Sequence, residues 1–398
     1  MGKTVKFFTL GCKVNQYDTQ SLKERILHDQ DFREVKNSLK ADVYVINTCT
    51  VTAEADRKSR YLIHYAHRHN PKAKIFVTGC YAELDSGKIR NIPGVTQVLK
   101  RNDVADILNA SPGISGFSGR TRAFLKIQDG CNNYCAYCKV PLVRGASRSR
   151  PLKIIKQEAK ELVKRGFKEI CLCGICLGAF GRDLLPNKDL VALINELEDI
   201  EGLFRIRLSS IEAGDVTGEL IAKIARSGKL CRHLHIPIQS GDDIILAKMR
   251  RSYRRRDYLA LIKRIRKQIP DIAITTDVMV GFPGEKDGNF KQTLELIRKI
   301  APLRVHIFPY SRRQGTAASR LKEMVSSEEI KERIAKLRRV SAECALRYKA
   351  QFIGKEMEVL IEERLKGNSW QGHTGNYIKV TVESNRNLKN QVVLGKVK

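Results

Sequence analysis

A chain whose apolar pattern switches repeatedly from strict alternation to a three-to-four-residue period can bury its strands only in a parallel sheet covered by helices. That switching runs through most of this sequence. Lys3 to Leu10 is strand-like and rich in Val and Phe, and Asp18 to Leu27 puts Leu22, Ile26 and Leu27 on one helical face. ADVYVINT at 41–48 is a second strand followed by a helix over Glu54 to Arg68, and KIFVT at 74–78 is a third with a shorter helix. The expectation is a Rossmann-like parallel-sheet domain over residues 1–108. Cys12, Cys49 and Cys80 each fall just after one of these strands. In a parallel sheet those three strand ends open on one edge, where ligands normally bind.

Residues 109–120 (NASPGISGFSGR) read as a linker, and a second α/β domain is expected over 121–344. Its strand candidates are Arg122 to Ile127, Glu169 to Cys173, Phe204 to Leu208, His233 to Ile238, Ile272 to Val280 and Arg304 to Phe308. Six strand–helix units suggest a partial (βα)6 barrel, because a closed eight-unit barrel takes roughly 250 residues. After a charged helix over Ser327 to Lys349, short alternating segments at Glu356 to Ile361, Tyr377 to Val382 and Gln391 to Val397 suggest a small antiparallel all-β barrel over 345–398.

The 73 Lys and Arg outnumber the 43 Asp and Glu, a formal charge of +30 that calls for a polyanionic partner, most commonly nucleic acid. With 42% hydrophobic and 29% charged residues the chain is globular rather than disordered. No apolar run is long enough to span a bilayer, and MGKTVK at the start has neither a signal-peptide core nor the Ser or Thr of a myristoylation site. A soluble, cytoplasmic protein without a membrane partner is expected. The 11 cysteines are odd in number and unevenly spaced, which excludes complete disulfide pairing. In a reducing compartment, clustered thiols point to metal.

Cys131-Asn-Asn-Tyr-Cys135-Ala-Tyr-Cys138 is the sharpest feature, three cysteines at C-x3-C-x2-C spacing just after a strand and Asp129-Gly130. Three thiolates can hold a four-iron cluster and leave one iron open. A structural zinc would need a fourth ligand from elsewhere, and on spacing alone cluster, zinc and coincidence all stand.

With Tyr137 before the last cysteine, this motif resembles the radical S-adenosylmethionine (SAM) superfamily, whose open iron chelates the methionyl group of that cofactor. The whole chain further resembles the methylthiotransferases through LGCKVNQYD (10–18), NTCTV (47–51), TGCYAE (78–83), IQDGCNNYCAYCKVPLVRG (127–145), SRSRP (147–151), RLSSIE (207–212), HIPIQSGDD (235–243) and TTDVMVGFPGE (275–285). LGCKVNQYD and the short C-terminal module look most like the branch that methylthiolates N6-threonylcarbamoyladenosine in tRNA, next to the anticodon. The resemblance implies two 4Fe-4S clusters, one catalytic on Cys131, Cys135 and Cys138 and an auxiliary one on Cys12, Cys49 and Cys80. It also implies SAM as cofactor and an electron donor that the sequence does not identify. Adenine's C2–H bond is unactivated, so its replacement needs a radical, which the cofactor supplies on accepting an electron. The auxiliary cluster then presents sulfur. Tyr137, Gly174, Ser209, Glu212, Gln239 and Ser240 become cofactor candidates, although each polar one reads equally as a local turn or cap. Gly281-Phe282-Pro283-Gly284-Glu285 is a turn that would flank the adenine.

For the tRNA anticodon stem-loop, the resemblance and the charge pattern point to Arg144, Arg148 and Arg150 after the cysteine loop, and to a second patch from Lys248 to Arg256. The C-terminal module resembles the TRAM domain, an OB-like RNA-binding barrel, where Trp370 and Tyr377 are candidates for base stacking. The chain departs from the family at Cys173 and Cys176, where relatives commonly carry Thr and Asn, and at Ala146, where many carry Arg. Cys171 and Cys173 alternate onto one strand face as small core residues would, so a third metal site with Cys176 is not expected. Methylthiolation of isopentenyladenosine in tRNA, or of a ribosomal-protein aspartate, is the alternative inside the family. A non-catalytic RNA binder with structural zinc is the alternative outside it, distinguished by iron content.

Overall fold

Five strands, β1 (Lys3–Thr9), β2 (Phe32–Glu34), β3 (Val43–Thr48), β4 (Lys74–Gly79) and β5 (Val95–Val98), form the first sheet of the computed structural model. The structure describes residues 2–28, 31–36, 40–100, 113–117, 119–186 and 188–398. The sheet is parallel throughout, in the order β2-β1-β3-β4-β5. β3 is buried along its whole length, as the central strand of a sheet covered on both faces must be. The alternation pattern missed β2 and β5. They are edge strands of three and four residues, too short for a period of two to register.

The next strands are β6 (Arg122–Lys126), the ribbon pair β7 (Gln128–Asp129) and β8 (Arg148–Ser149), then β9 (Glu169–Cys173), β10 (Arg205–Leu208), β11 (His233–His235), β12 (Ala273–Val280) and β13 (Arg304–Pro309). β6, β9 and β10 pair in parallel, as do β11, β12 and β13. A parallel bridge from Ser210 to His235 and the bond from Ile211 N–H to His235 O join the two runs. The result is one open arc of six parallel strands in chain order, the partial barrel that the spacing implied. The helix Lys13–His28 serves two cores. Leu22 packs with Val43 and Val45 of the first sheet, while Val14 and Tyr17 join the apolar interior of the barrel. Of the expected linker, residues 109–112 and 118 lie outside the described residues. Ile114 and Phe117 are buried in the barrel core, so the rest of that segment is anchored.

The C-terminal module has four antiparallel strands, β14 (Glu356–Arg364), β15 (Ser369–Thr374), β16 (Lys379–Glu383) and β17 (Val392–Lys396), in the order β16-β15-β14-β17. The sheet curls until Gly395 of β17 lies beneath Val380 and Val382 of β16. The alternation reading passed over β15 because SWQGHT carries a glycine in mid-strand. Gly372 is required there: a Cβ would stand 2.0 Å from the Leu360 carbonyl oxygen.

Both aromatics offered as stacking platforms are corrected. Trp370 is only 5% exposed, lies in the module core and donates its indole N–H to Ser384 O at 3.2 Å. Tyr377 is sandwiched between the rings of His233 and His373, at 4.7 and 4.9 Å, with Arg122 and Arg207 over its face. It binds the module to the barrel.

This seam is built from buried charge at the N-terminal ends of the barrel strands. Arg207 donates to Glu169 at 2.6 Å and to the carbonyls of Gly375 and Thr374, while Arg205 reaches those of His373 and Glu358. Burial pushes the Glu169 carboxyl up, but Arg207, Arg122 and Arg205 outweigh that and hold it below its ordinary value. Breaking such a pair strands a buried charge. Arg207→Met therefore destabilises the fold by about 3–5 kcal/mol in chemical denaturation. Because the folded pKa of Glu169 is depressed, its contribution is present above the unfolded carboxyl pKa and lost as pH falls through the folded value. Glu169→Gln is expected to flatten the acid side of the stability profile.

Candidate active site

The C-terminal ends of the first sheet's strands face the C-terminal ends of the barrel strands, and a cavity of ≈ 350 Å³ lies between them. Cys12, Cys49 and Cys80 line one wall; Gly174, Ser209, Ser210 and Asp277 line the other, and Lys139 and Val140, directly after Cys138, lie on its rim. Two glycines let the first three thiols converge. Gly11 has φ +100°, and a Cβ there would touch Cys49 Sγ at 3.0 Å. Gly79 has φ +94°, and a Cβ would meet the Asn47 side-chain oxygen at 2.2 Å. Burial, with a smaller contribution from the neighbouring Cys80 and Cys12, pushes the Cys49 thiol up to about 11.

Asn15 and Arg144 order this wall. The Asn15 amide donates to Leu10 O at 2.8 Å and Thr48 O at 3.0 Å, tying the ends of β1 and β3 together. Arg144 is buried. Its Nε donates to Cys80 Sγ at 3.3 Å, its Nη1 to both carboxylate oxygens of Asp129, and its Nη2 to Asn15 and Asp18. This corrects the expectation that Arg144 grips RNA phosphate: its donors are engaged inside the protein. Arg150 is corrected likewise. It pairs with Glu158 at 2.7 Å, donates to Lys126 O and lies over the Tyr17 ring. Arg148 is exposed.

Cys131, Cys135 and Cys138 sit on a loop held at both ends. Cys131 N–H donates to Gly145 O, Ala136 N–H to Met249 O and Ala318 N–H to Ala136 O. Backbone N–H groups of Asn133 and Val140 point at the sulfurs of Cys131 and Cys138, each at 3.4 Å. Arg251 donates to Cys135 Sγ at 3.3 Å and pairs with Glu212, so it too leaves the basic patch that charge counting gave it to. A hydrogen bond from Cys176 holds the Cys131 thiol down to about 7, and burial raises Cys138 to about 12. Among the described residues no group of His, Cys, Asp and Glu is close enough to hold a single metal ion. Two sets of three sulfurs and few hard oxygen donors suit the wider spread of an iron–sulfur cluster instead.

The cofactor candidates separate. Tyr137 is half-buried against Phe282, Met249 and Tyr310, beside the thiol loop. Ser209 has a hydroxyl that is buried and without a partner. What approaches Gly174 is Gln128, whose Oε1 accepts from Cys176 N–H at 2.8 Å. Gln239 has φ +70° and pairs through its backbone with Asp277 and Met279. Ser240 is corrected: it is 2% exposed, and its hydroxyl meets Thr293 and Asp242 N–H, which is the turn-and-cap role. Cys171 and Cys173 are buried in β9, and Cys176, buried in the turn after it, lies beside Cys131 and Asp215.

The sequence reading missed Asn15, Asp129, Gln128 and the pair His235–Asp277, joined at 3.2 Å in the barrel. Asn15 and Asp129 lie inside the quoted motifs, so position was available but not the partner. It also missed Arg313 after β13, which reaches across to Thr50 at 2.7 Å and Asp56 at 2.5 Å of the first domain.

Comparison with known proteins agrees with this architecture. Residues 125–297 match the model of the Radical SAM superfamily and residues 4–100 that of Uncharacterized protein family UPF0004. The chain is 40% identical to the threonylcarbamoyladenosine tRNA methylthiotransferase MtaB of Bacillus subtilis (strain 168), over 99% of this chain and 93% of that protein. It is 38% identical to the Thermotoga maritima protein of the same name, covering 96% and 92%. Against the tRNA-2-methylthio-N(6)-dimethylallyladenosine synthase of Clostridium tetani it is 33% identical, covering 92% and 87%. Among solved structures, the radical S-adenosylmethionine methyltransferase TsrM from Kitasatospora setae superposes with a TM-score of 0.58 at 12% identity, over 80% of this chain and 77% of that one. That likeness concerns the fold alone. With two family models matched in series and relatives of this identity aligned along nearly its full length, the chain belongs to the radical S-adenosylmethionine methylthiotransferase family.

Proposed function

We propose that this protein converts N6-threonylcarbamoyladenosine, next to the anticodon of tRNA, to its 2-methylthio derivative, with one 4Fe-4S cluster on each cysteine triplet. The observation that carries the reading is the cavity between two facing rows of strand ends, lined by Cys12, Cys49 and Cys80 and by Lys139 and Val140, which directly follow Cys138. When bound, the first cluster and SAM supply an electron and a carbon-centred radical, and the second cluster supplies sulfur.

The chain's own residues bind, orient and shield. Cys131, Cys135 and Cys138 hold one cluster, with Arg251 and the backbone N–H groups of Asn133 and Val140 donating to their sulfurs. Cys12, Cys49 and Cys80 hold the other, with Arg144 donating to Cys80. Tyr137, Gly174, Ser209, Glu212 and Gln239 are the cofactor contacts of this reading, and Glu212 is oriented by Arg251. The walls of the cavity keep bulk water from a radical site.

The named substrate of the two most identical relatives cited is threonylcarbamoyladenosine, which favours that nucleoside over dimethylallyladenosine. Two positively charged surfaces support an RNA partner: exposed Arg148 beside the thiol loop, and exposed Arg250 and Arg254. Among the described residues no helix is long and apolar enough to cross a membrane. The electron donor is an external partner.

Anaerobically reconstituted protein is expected to bind roughly two four-iron clusters. Cys49→Ala and Cys131→Ala each lose about half of that iron and all product formation, while retaining fold and tRNA binding. Iron unchanged in Cys49→Ala would contradict the second cluster. Replacing Arg148 by Ala is expected to weaken tRNA binding and to lower the salt slope of the affinity by about 1, measured by titration at several salt concentrations.

A further inference from the structure

Asp277 is the one acid among the described residues that line the cavity, on the wall opposite Cys12, Cys49 and Cys80. In a chain of net charge +30 its sign is the exception. A carboxylate repels phosphate, so this one is not placed to grip an RNA backbone; its natural counterpart is a hydrogen-bond donor such as the N–H of a base.

The strands place and orient it. β11, β12 and β13 run in parallel, with His235 opposite Thr275 and Asp277 opposite His306. Side chains two residues apart share a face, so His233, His235, Thr275 and Asp277 point the same way. Their protons have one consistent arrangement. Burial keeps the His233 imidazole neutral, and its Nδ1 has no partner. Since a buried N–H is rarely left unmet, the His233 proton is on Nε2 and goes to the Thr275 hydroxyl at 2.9 Å. Thr275 has one proton to give, and it goes to His235 Nδ1, also at 2.9 Å. His235 therefore carries its own proton on Nε2, 3.2 Å from Asp277 Oδ1. His306, on the other side, also lies nearest Oδ1, at 3.9 Å. One carboxylate oxygen is thus held by the barrel. The other, Oδ2, accepts no hydrogen bond from any described residue, and the side chain is 21% exposed where it lines the cavity.

Resting on the function proposed above, we propose that Asp277 accepts the N6–H of the target adenosine and so sets how the base is turned in the cavity, with His235 and Thr275 as the positioning residues that hold its carboxylate. On adenine, C6 and C2 flank N1, so gripping the hydrogen on N6 fixes the direction in which C2–H points. Threonylcarbamoyladenosine keeps one hydrogen on N6, whereas guanosine presents a carbonyl oxygen at that place, which a carboxylate repels. Asp277 on this account admits a singly substituted adenine through a charge-assisted hydrogen bond. SAM carries N–H donors as well, and the experiment separates the two sources.

The test uses the reconstituted full-length protein and two synthetic anticodon stem-loops, one with N6-threonylcarbamoyladenosine and one with the same nucleoside methylated on N6, which has no N6–H. Dissociation constants are measured for both RNAs and for SAM, with iron content as a control. The wild type is expected to prefer the first RNA by about tenfold. In the nearly isosteric Asp277→Asn the side-chain oxygen stays with His235, which turns the amide N–H groups toward the cavity, a donor against a donor. The variant is expected to bind the two RNAs equally, with SAM affinity and iron unchanged. A wild type without the preference, or an Asp277→Asn variant that keeps it, overturns the inference, and the function stands if the wild type modifies the first RNA. If Asp277→Asn weakens SAM instead, the carboxylate serves the cofactor; if it weakens both RNAs equally or loses iron, it is structural; in either case the inference fails. A wild type that does not modify the threonylcarbamoyl RNA shows that the function itself is wrong.

Discussion

The site depends on one buried guanidinium. Arg144 comes from the helix that follows the thiol loop, yet its donors reach Asp129 before that loop and Asn15, Asp18 and Cys80 of the first domain. Desolvating an arginine is costly unless its donors are met, and here two carboxylates, an amide and a sulfur meet them. The arrangement can form only when the edge of the first sheet and the mouth of the barrel face each other. Arg313, paired with Asp56 and Thr50, makes a second contact of the same kind from the far end of the arc. Together they set the width of the cavity and the facing of the two cysteine sets.

Charge is divided between the two ends of the barrel. At the N-terminal ends of the strands, Arg122, Arg205, Arg207 and Glu169 bind the C-terminal module through carbonyls, a carboxylate and the Tyr377 ring. At the C-terminal ends, strand residues give way to sulfur, hydroxyl and imidazole groups around the cavity. Open α/β sheets bind ligands at the carboxyl ends of their strands, and both sheets here follow that rule toward one space. The large positive charge of the chain is therefore partly structural: several arginines that raise it are buried ion-pair partners rather than contacts for a polyanion.

The periodic features were legible in the sequence. Long strands announced themselves by Val and Ile content, the six barrel units by their spacing, and the gathering of Cys12, Cys49 and Cys80 at one cavity by their positions after strands. Short edge strands such as β2 and a strand interrupted by Gly372 were not legible, since their existence depends on neighbours rather than on their own pattern. The partner of a charged side chain was not legible either. Arg144, Arg148 and Arg150 sit in one run and look alike, but the first two turns of chain around them bury Arg144 against Asp129, turn Arg150 onto Glu158 and leave only Arg148 exposed. Trp370 shows the same limit, because in a small barrel one aromatic can fill the core as well as a surface.

The most direct test of the central claim is nucleoside analysis by mass spectrometry of total tRNA from cells with and without this gene. The account predicts that the 2-methylthio form of threonylcarbamoyladenosine disappears and its unmethylthiolated parent accumulates, with other nucleosides unchanged. A tRNA nucleoside profile identical in the two strains would contradict it.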